Sequence, residues 1–522
     1  MKRLGLIALA FALVLDLSQC KKENTATTSD EGTKVPITLN VSGNNGSRVA
    51  VEGSTGVVTF ESGDVIYVVS NGTCVGTLTY NGTQFAGEVS EPTEGQKLQF
   101  YFLGNKTPEF NADNTGCSVV IGDQTEYLPV ISYAPSREDY QVGLMAYNAT
   151  LLNKCALVKF DVTSVVPNLS TCLKGMNNKV MVNFADNSFA YSQEGEGIIT
   201  LPAGEGEKWG ILLPQNVVVD NEANSSDGIW TGTCSCVPAI AENDYLTEGI
   251  TVEITHPIGS VNSLFTINAN GNQVWFSHGN LQYIGSAATP YWKFADNQFD
   301  YFGTSTGQYS TSQTVNRDIF GWGTSGYSHG ANCYQPWSTS TSYNNYYAYG
   351  AYTNNLYDGN GQAEWGYNAI RNGGNTGNSG WRTLTQPEWD YVFNTRSTAS
   401  GIRWAQGTVD GENGTILLPD NWTADIYALN DTNGGNYESN TISAEGWTNT
   451  LEANGAVFLP GAGRRQGTSP YGTGSYGGYW SASYYNNKVA YYVYFDDGVL
   501  VPTGHDRTRD YGLSVRLVHD PQ

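Results

Sequence analysis

The sequence predicts a mainly β protein, with two N-terminal β-sandwich modules followed by an α+β domain. Three observations carry that prediction. Short runs of alternating apolar and polar residues are separated by Asn-Gly turns, the strongest short-range hairpin signal. The chain holds 61 glycines in 522 residues and few long helical periods. Tryptophan is divided unevenly, with Trp209 and Trp230 before residue 262 and the other eleven after it.

Residues 1–20 come first. Lys2 and Arg3 precede an apolar run over 4–15, and the segment ends at Leu17-Ser18-Gln19-Cys20. A basic start, a short apolar centre and a cleavage region make the signal-peptide pattern. With a cysteine in that place it resembles a bacterial lipoprotein signal, which implies lipidation at Cys20 and a surface-exposed position on the cell outer membrane. Gln19 and Asp16 depart from the usual pattern, and the competing reading is a secretory signal with an incidental cysteine. Residues 21–33 begin Lys21-Lys22-Glu23 and are rich in Ser and Thr, as a tether would be. No second run of about 20 apolar residues follows.

From 34 to 150 the predicted strands lie at 35–41, 57–60, 64–69, 77–80, 97–103 and, just beyond, 157–162. Asn44-Asn45-Gly46, Ser62-Gly63, Asn71-Gly72 and Asn81-Gly82 supply turns between them. A second stretch, 151–258, repeats the pattern, and together they read as sandwich modules. The runs Val35-Pro36-Ile37-Thr38-Leu39-Asn40-Val41, Arg48-Val49-Ala50 and Phe60 through Val68 resemble the fimbrillin-like family of type V pilus subunits. That resemblance spans roughly 34–255. It implies that cleavage after an arginine near the start, here Arg48, releases a first strand and that a neighbouring subunit's strand replaces it. An ordinary exposed loop arginine is the other reading of Arg48.

Residues 262–520 form the third unit. Thr385 with Glu388 three residues on is a capping box, and Pro387 is tolerated in a first helical turn. The spacing therefore predicts a helix start there, with Trp389, Val392 and Phe393 turned inward. The blocks Val274-Trp275-Phe276-Ser277-His278-Gly279, Phe320-Gly321-Trp322-Gly323, Gly380-Trp381-Arg382-Thr383 and Gly478-Tyr479-Trp480-Ser481, in this order, resemble C-type-lectin-fold domains related to the formylglycine-generating enzyme. Surface proteins diversified by retroelements are similar to this tail. The resemblance implies a fixed frame of Gly478, Trp480, Ser481, Gly512, Ser514, Val515 and Arg516 around a ligand face. The intervening slots hold Tyr484, Tyr485, Asn486, Tyr492, Tyr494, Asp496, His505, Asp506, Asp510 and Tyr511.

Alternation reinforces part of that face. Successive side chains of a strand point to opposite sides, so Tyr491, Val493 and Phe495 are expected in the core. Tyr492, Tyr494 and Asp496 are expected outward. Tyrosine offers wide contact area, a polar tip and only two torsions to freeze.

Composition narrows the function classes. With 26 basic against 49 acidic residues the formal charge is −23, which excludes a nucleic-acid surface because phosphates need Lys and Arg. Gly326-Tyr327-Ser328-His329-Gly330 has the spacing of a nucleophile elbow but lacks the strand and helix that must flank one. Gly472-Thr473-Gly474-Ser475-Tyr476-Gly477 lacks the strand-to-helix setting of a dinucleotide loop. The five histidines show no zinc spacing, and Cys333 alone cannot supply the cysteine pair of formylglycine-generating chemistry. No catalytic residue, metal site or cofactor is expected. Calcium stays open at Asp431–Asn436 and Asp296–Asp300, whose oxygens suit a hard cation. Buried thiols or a bridge framework both fit the six cysteines 74, 117, 155, 172, 234 and 236. The expected function is a non-enzymatic pilus adhesin, placed at the tip, that binds a host, microbial or matrix protein or glycan and joins other pilus subunits by strand addition. The alternative is a surface glycan-capture lipoprotein that never polymerises.

Overall fold

A computed structural model describes residues 33–41, 60–135, 138–219, 221–304, 307–378 and 380–521. The signal over 1–20 with Cys20, the tether up to residue 32, the turn at Asn44-Asn45-Gly46, Arg48 and the strand at 57–60 except Phe60 lie outside the described residues.

The molecule is mainly β, as the turn chemistry predicts. Its first sheet runs, edge to edge, through Ala146–Ala149, Lys34–Val41, Phe85–Ser90, Thr73–Tyr80, Val65–Ser70, Lys97–Leu103, Ile131–Tyr133 and Leu152–Asn153, with Glu138–Asp139 alongside Lys97–Leu103. Asn71 and Gly72 take φ of 48° and 75°. Two successive positive φ values make a type I′ turn, whose twist matches that of the strands it joins. That is why Val65–Ser70 and Thr73–Tyr80 form a tight hairpin. Ile37, Leu39, Ile66, Val68, Phe100 and Phe102 meet in the core beneath this sheet.

A four-stranded sheet comes next, ordered Ser188–Ser192, Lys179–Asn183, Gly116–Val120 and Glu109–Phe110. It takes two strands from each side of residue 150, the expected module boundary, and Lys179 to Asn183 pair with Val120 to Gly116. A seven-stranded sheet built around Ala156–Ser164 and Tyr245–Pro257 completes this half. One core runs on from Tyr101 and Val119 through Phe160 and Leu212 to Val252 and Trp275. The described cysteines are all free thiols, and burial pushes Cys155 and Cys117 up to about 12.

The C-terminal half holds five small sheets and long connections. Leu517–His519 is inserted between Gln273–Phe276 and Trp381–Thr383, so the end of the chain closes onto the start of this half. The helix starts where the capping box places it. Thr385 N donates to Glu388 Oε2 at 2.7 Å, Arg382 holds the same carboxylate, and Trp389, Val392 and Phe393 are buried. The helical segment is Gln386–Asp390, continuing as a wider π turn over Tyr391–Thr395. Trp322, Trp365, Trp389, Trp422, Trp447 and Trp480 are fully buried, which explains the tryptophan asymmetry. The two halves meet at Trp230, whose ring lies edge-on to Trp275 at 5.6 Å and to His519 at 5.2 Å.

Candidate recognition surface

The tail strands Gly477–Tyr484, Ala490–Asp496 and Val499–Gly504 form one antiparallel sheet with Ala490–Asp496 in the middle. Both faces of that middle strand are covered. Val493 and Phe495 pack with Tyr479, Trp389 and Phe393. On the other face Tyr492 packs with Trp480, Ala482, Ala490 and Leu513. Alternation marks which residues share a face but not whether the second face meets solvent; a strand buried on both sides defeats it.

The outward expectation for Tyr492 is therefore corrected. Its ring is 1 % exposed, edge-on to Trp480 at 6.1 Å, and its hydroxyl donates to Asp506. Burial raises its pKa above the ordinary tyrosine value. Asp510 is corrected likewise: it is buried, and burial raises its carboxyl pKa. Tyr491, expected inward, is instead half-buried at the rim.

The other slots divide into two clusters and an outlier. Tyr485 (42 % exposed), Tyr491 and His505 form an aromatic trio, with Tyr485 at 4.5 Å from His505 and 5.1 Å from Tyr491. Beside them, Asn486 Oδ1 accepts from the Lys488 and Val489 amides and shapes the turn between the first two strands. Half-buried Tyr484 takes Asn355 Oδ1 on its backbone amide at 3.1 Å. The second cluster centres on half-buried Tyr494, stacked on Tyr476 at 5.9 Å and 10°. Arg464 lies 5.3 Å from the Tyr471 and Tyr476 rings and 5.4 Å from Tyr511, while Arg507 lies 5.8 Å from Tyr511 and pairs with exposed Asp506 at 2.6 Å. A guanidinium over a ring face is attracted by the ring quadrupole and holds the ring in place. Asp496 is exposed but stands apart, at the end of the sheet where Gln406 Nε2 donates to its carbonyl at 3.0 Å.

The frame residues are interior. Gly478, Trp480, Ser481, Gly512, Ser514, Val515 and Arg516 are all buried, and a Cβ at Gly478 would crowd Leu513 and Tyr476 at 2.9 Å. Sequence reasoning missed Arg464, Arg507, Tyr471 and Tyr476, which organise the second cluster. An Arg-Arg pair after Pro460-Gly461-Ala462-Gly463 was the available signal. It also missed four fully buried arginines, Arg317, Arg396, Arg465 and Arg509, beside the frame's own Arg516. Arg509 Nη2 donates to the carbonyls of Tyr352 and Asn486 at 2.6 Å each, tying a distant loop to the turn beside Tyr485.

His329 is buried, its Nε2 2.7 Å from the Gly323 carbonyl, and 326–330 is a bend without flanking strand or helix. Among the described residues no group of three or more His, Cys, Asp or Glu side chains is placed to hold a metal. Asp431 instead accepts from Ser439, and Asp296 pairs with Lys293.

A family described only as a domain of unknown function (DUF8237) matches residues 429–518, the stretch holding most of this surface. No curated protein matches. Among solved structures, the chain is similar to a candidate cell adhesion protein of Bacteroides uniformis at 14 % identity, covering 37 % of this chain and 79 % of that one, with a TM-score of 0.27. A candidate cell adhesion protein of Bacteroides ovatus is similar at 15 % identity, covering 43 % and 97 %, with a TM-score of 0.28. A fimbrial assembly protein of Parabacteroides distasonis is similar at 8 % identity, covering 47 % and 95 %, with a TM-score of 0.23.

Proposed function

We propose that this chain is a cell-surface pilus adhesin whose C-terminal half binds a protein or glycan ligand and whose N-terminal half joins other subunits. One observation carries the reading. Among the described residues, the exposed large hydrophobic side chains before residue 262 are aliphatic except Tyr245, and those after it are tyrosines except Val499. Exposed aliphatic patches mark surfaces that another protein covers. Rigid amphipathic rings mark surfaces that recognise.

Strand addition has a natural place in the first sheet. Lys34–Val41 is an inner strand, pairing with Phe85–Ser90 on one side and, in parallel, with Ala146–Ala149 on the other. Ile37 and Leu39 fill the core below it. Cleavage after Arg48 would leave that strand held by pairing alone, and its departure would open a groove with two hydrogen-bonding edges. In this reading a neighbouring subunit's strand refills the groove. Lipidation at Cys20 anchors the precursor to the outer membrane. The C-terminal position of the ligand half favours the pilus tip.

Purified pili from cells expressing the chain test this. The adhesin reading expects the protein in the pilus fraction, concentrated at tips by immunogold, with an amino terminus beginning after Arg48. Absence from pili together with sustained glycan binding would replace it with the non-polymerising glycan-capture reading.

A further inference from the structure

Tyr349 occupies a backbone conformation that bulky side chains avoid. It lies at φ 43° and Gly350 follows at φ 79°, while Ala348 and Ala351 pair across them. Two positive φ values make a type I′ turn, whose first central position favours Asn, Asp or Gly. Every other non-glycine residue with positive φ among the described residues is Asn or Asp. Conformational strain of this sort collects at functional sites.

The ring itself is presented flat. The Cα of Gly359 faces Cγ, Cδ1 and Cδ2 of Tyr349 so closely that a Cβ there would overlap the ring. One ring face thus rests on bare backbone, and the residue is 44 % exposed. Neighbouring rings are fixed rather than free. Tyr352 donates its hydroxyl to the Asn344 carbonyl at 3.0 Å and meets Tyr347 edge-on at 4.9 Å. Exposed Tyr357 follows in the same loop. Arg509 binds the loop to the Asn486 turn, and Asn355 binds it to Tyr484.

We propose that Tyr349 is a stacking platform for a neutral sugar ring, a ligand subsite adjoining the 484–511 surface. The C–H bonds on the apolar face of a pyranose carry partial positive charge, and an aromatic face is negative. Residues 341–362 contain no Lys or Arg of their own, Lys488 from the tail is engaged over the Tyr343 ring at 5.5 Å, and no large aliphatic side chain is exposed, which disfavours an anionic ligand or an apolar peptide. Their one carboxylate, Asp358, is half-buried and its Oδ2 accepts the Asn355 amide at 2.7 Å, which leaves a cationic ligand a single acidic group there. The exposed side chains of Asn344, Thr353 and Asn360 suit sugar hydroxyls. This subsite rests on the reading of the C-terminal half as the recognition half.

Saturation-transfer NMR on the full chain, with neutral gluco-, galacto- and manno-oligosaccharides as probes, tests it. Tyr349→Asn relieves the backbone, so Tm should hold or rise while binding falls at least about tenfold, the loss of one aromatic anchor. Tyr349→Phe should bind within about threefold of the parent, because stacking needs the ring and not the hydroxyl. The subsite is overturned if no probe saturates the parent chain, if Tyr349→Asn binds normally, or if Tyr349→Asn lowers Tm. Adhesion to bacterial and host-cell surfaces separates the two readings. Loss in Tyr485→Ser/Tyr494→Ser but not in Tyr349→Asn overturns the subsite and leaves the recognition reading standing. Loss in neither overturns both.

Discussion

Trp480 and Gly504 stand opposite Tyr492 on the two flanking strands, and Asp506 accepts its hydroxyl. A ring held this way belongs to the core despite its polar tip. Tyr492→Ala should therefore cost about 3–5 kcal/mol of stability, the range for deleting a buried aromatic, as read by urea unfolding. Tyr494→Ala, removing a half-buried ring from the rim, should cost less than about 1 kcal/mol of stability and weaken ligand binding by about 1–3 kcal/mol. Adjacent tyrosines thus play opposite parts. The inward turn of Val493 and Phe495 was legible from alternation. The burial of Tyr492 was not, because part of its cover, Leu513, arrives from a separate segment. Tyr349 was hidden for a different reason: a tyrosine in a type I′ turn breaks the residue preferences by which such turns are read from sequence.

At the scale of elements, local signals survived and long-range ones did not. The capping box at Thr385 and the Asn71-Gly72 hairpin are specified within a few residues, so both were legible. Arg465, Arg509 and Arg516 grip carbonyls far away in sequence, as Arg509 does at Tyr352, and no window contains both partners. Arg509→Lys, whose point-like ammonium cannot reproduce the fork, should weaken ligand binding and lower Tm together, since it releases the loop from the turn. Glu364 gives a pH signature. It is buried, accepts the Thr383 amide and hydroxyl at 3.1 and 2.7 Å, and burial raises its pKa from 4.5 to about 7. The folded state then holds a proton that the unfolded state has released between these values. Stability from this group is complete below pH 4.5 and is lost as pH rises through 7. At about 1.4 kcal/mol per pKa unit the loss comes to about 3–4 kcal/mol. Thermal melts should show Tm falling from pH 5 to pH 8, with a smaller fall in Glu364→Gln.

Across the whole molecule the mainly β class followed from turn chemistry and composition, since hairpins are local. The sheet shared across residue 150 did not, because Gly116–Val120 and Lys179–Asn183 are joined only by folding. Surface chemistry divides the same way as the fold. Val142, Leu144 and Met145 are exposed beside the edge strand Ala146–Ala149, while Tyr349, Tyr357, Tyr471 and Tyr485 are exposed on the other half. Under the proposed function the first group serves assembly and the second recognition. The most direct measurement pairs two full-length variants, Val142→Ser/Met145→Ser and Tyr485→Ser/Tyr494→Ser, and scores each for incorporation into pili and for adhesion to ligand-bearing cells. The account predicts that the aliphatic variant loses incorporation, and that the tyrosine variant enters pili normally but loses adhesion. A tyrosine variant that adheres like the parent, or that fails to assemble while still binding, would contradict it.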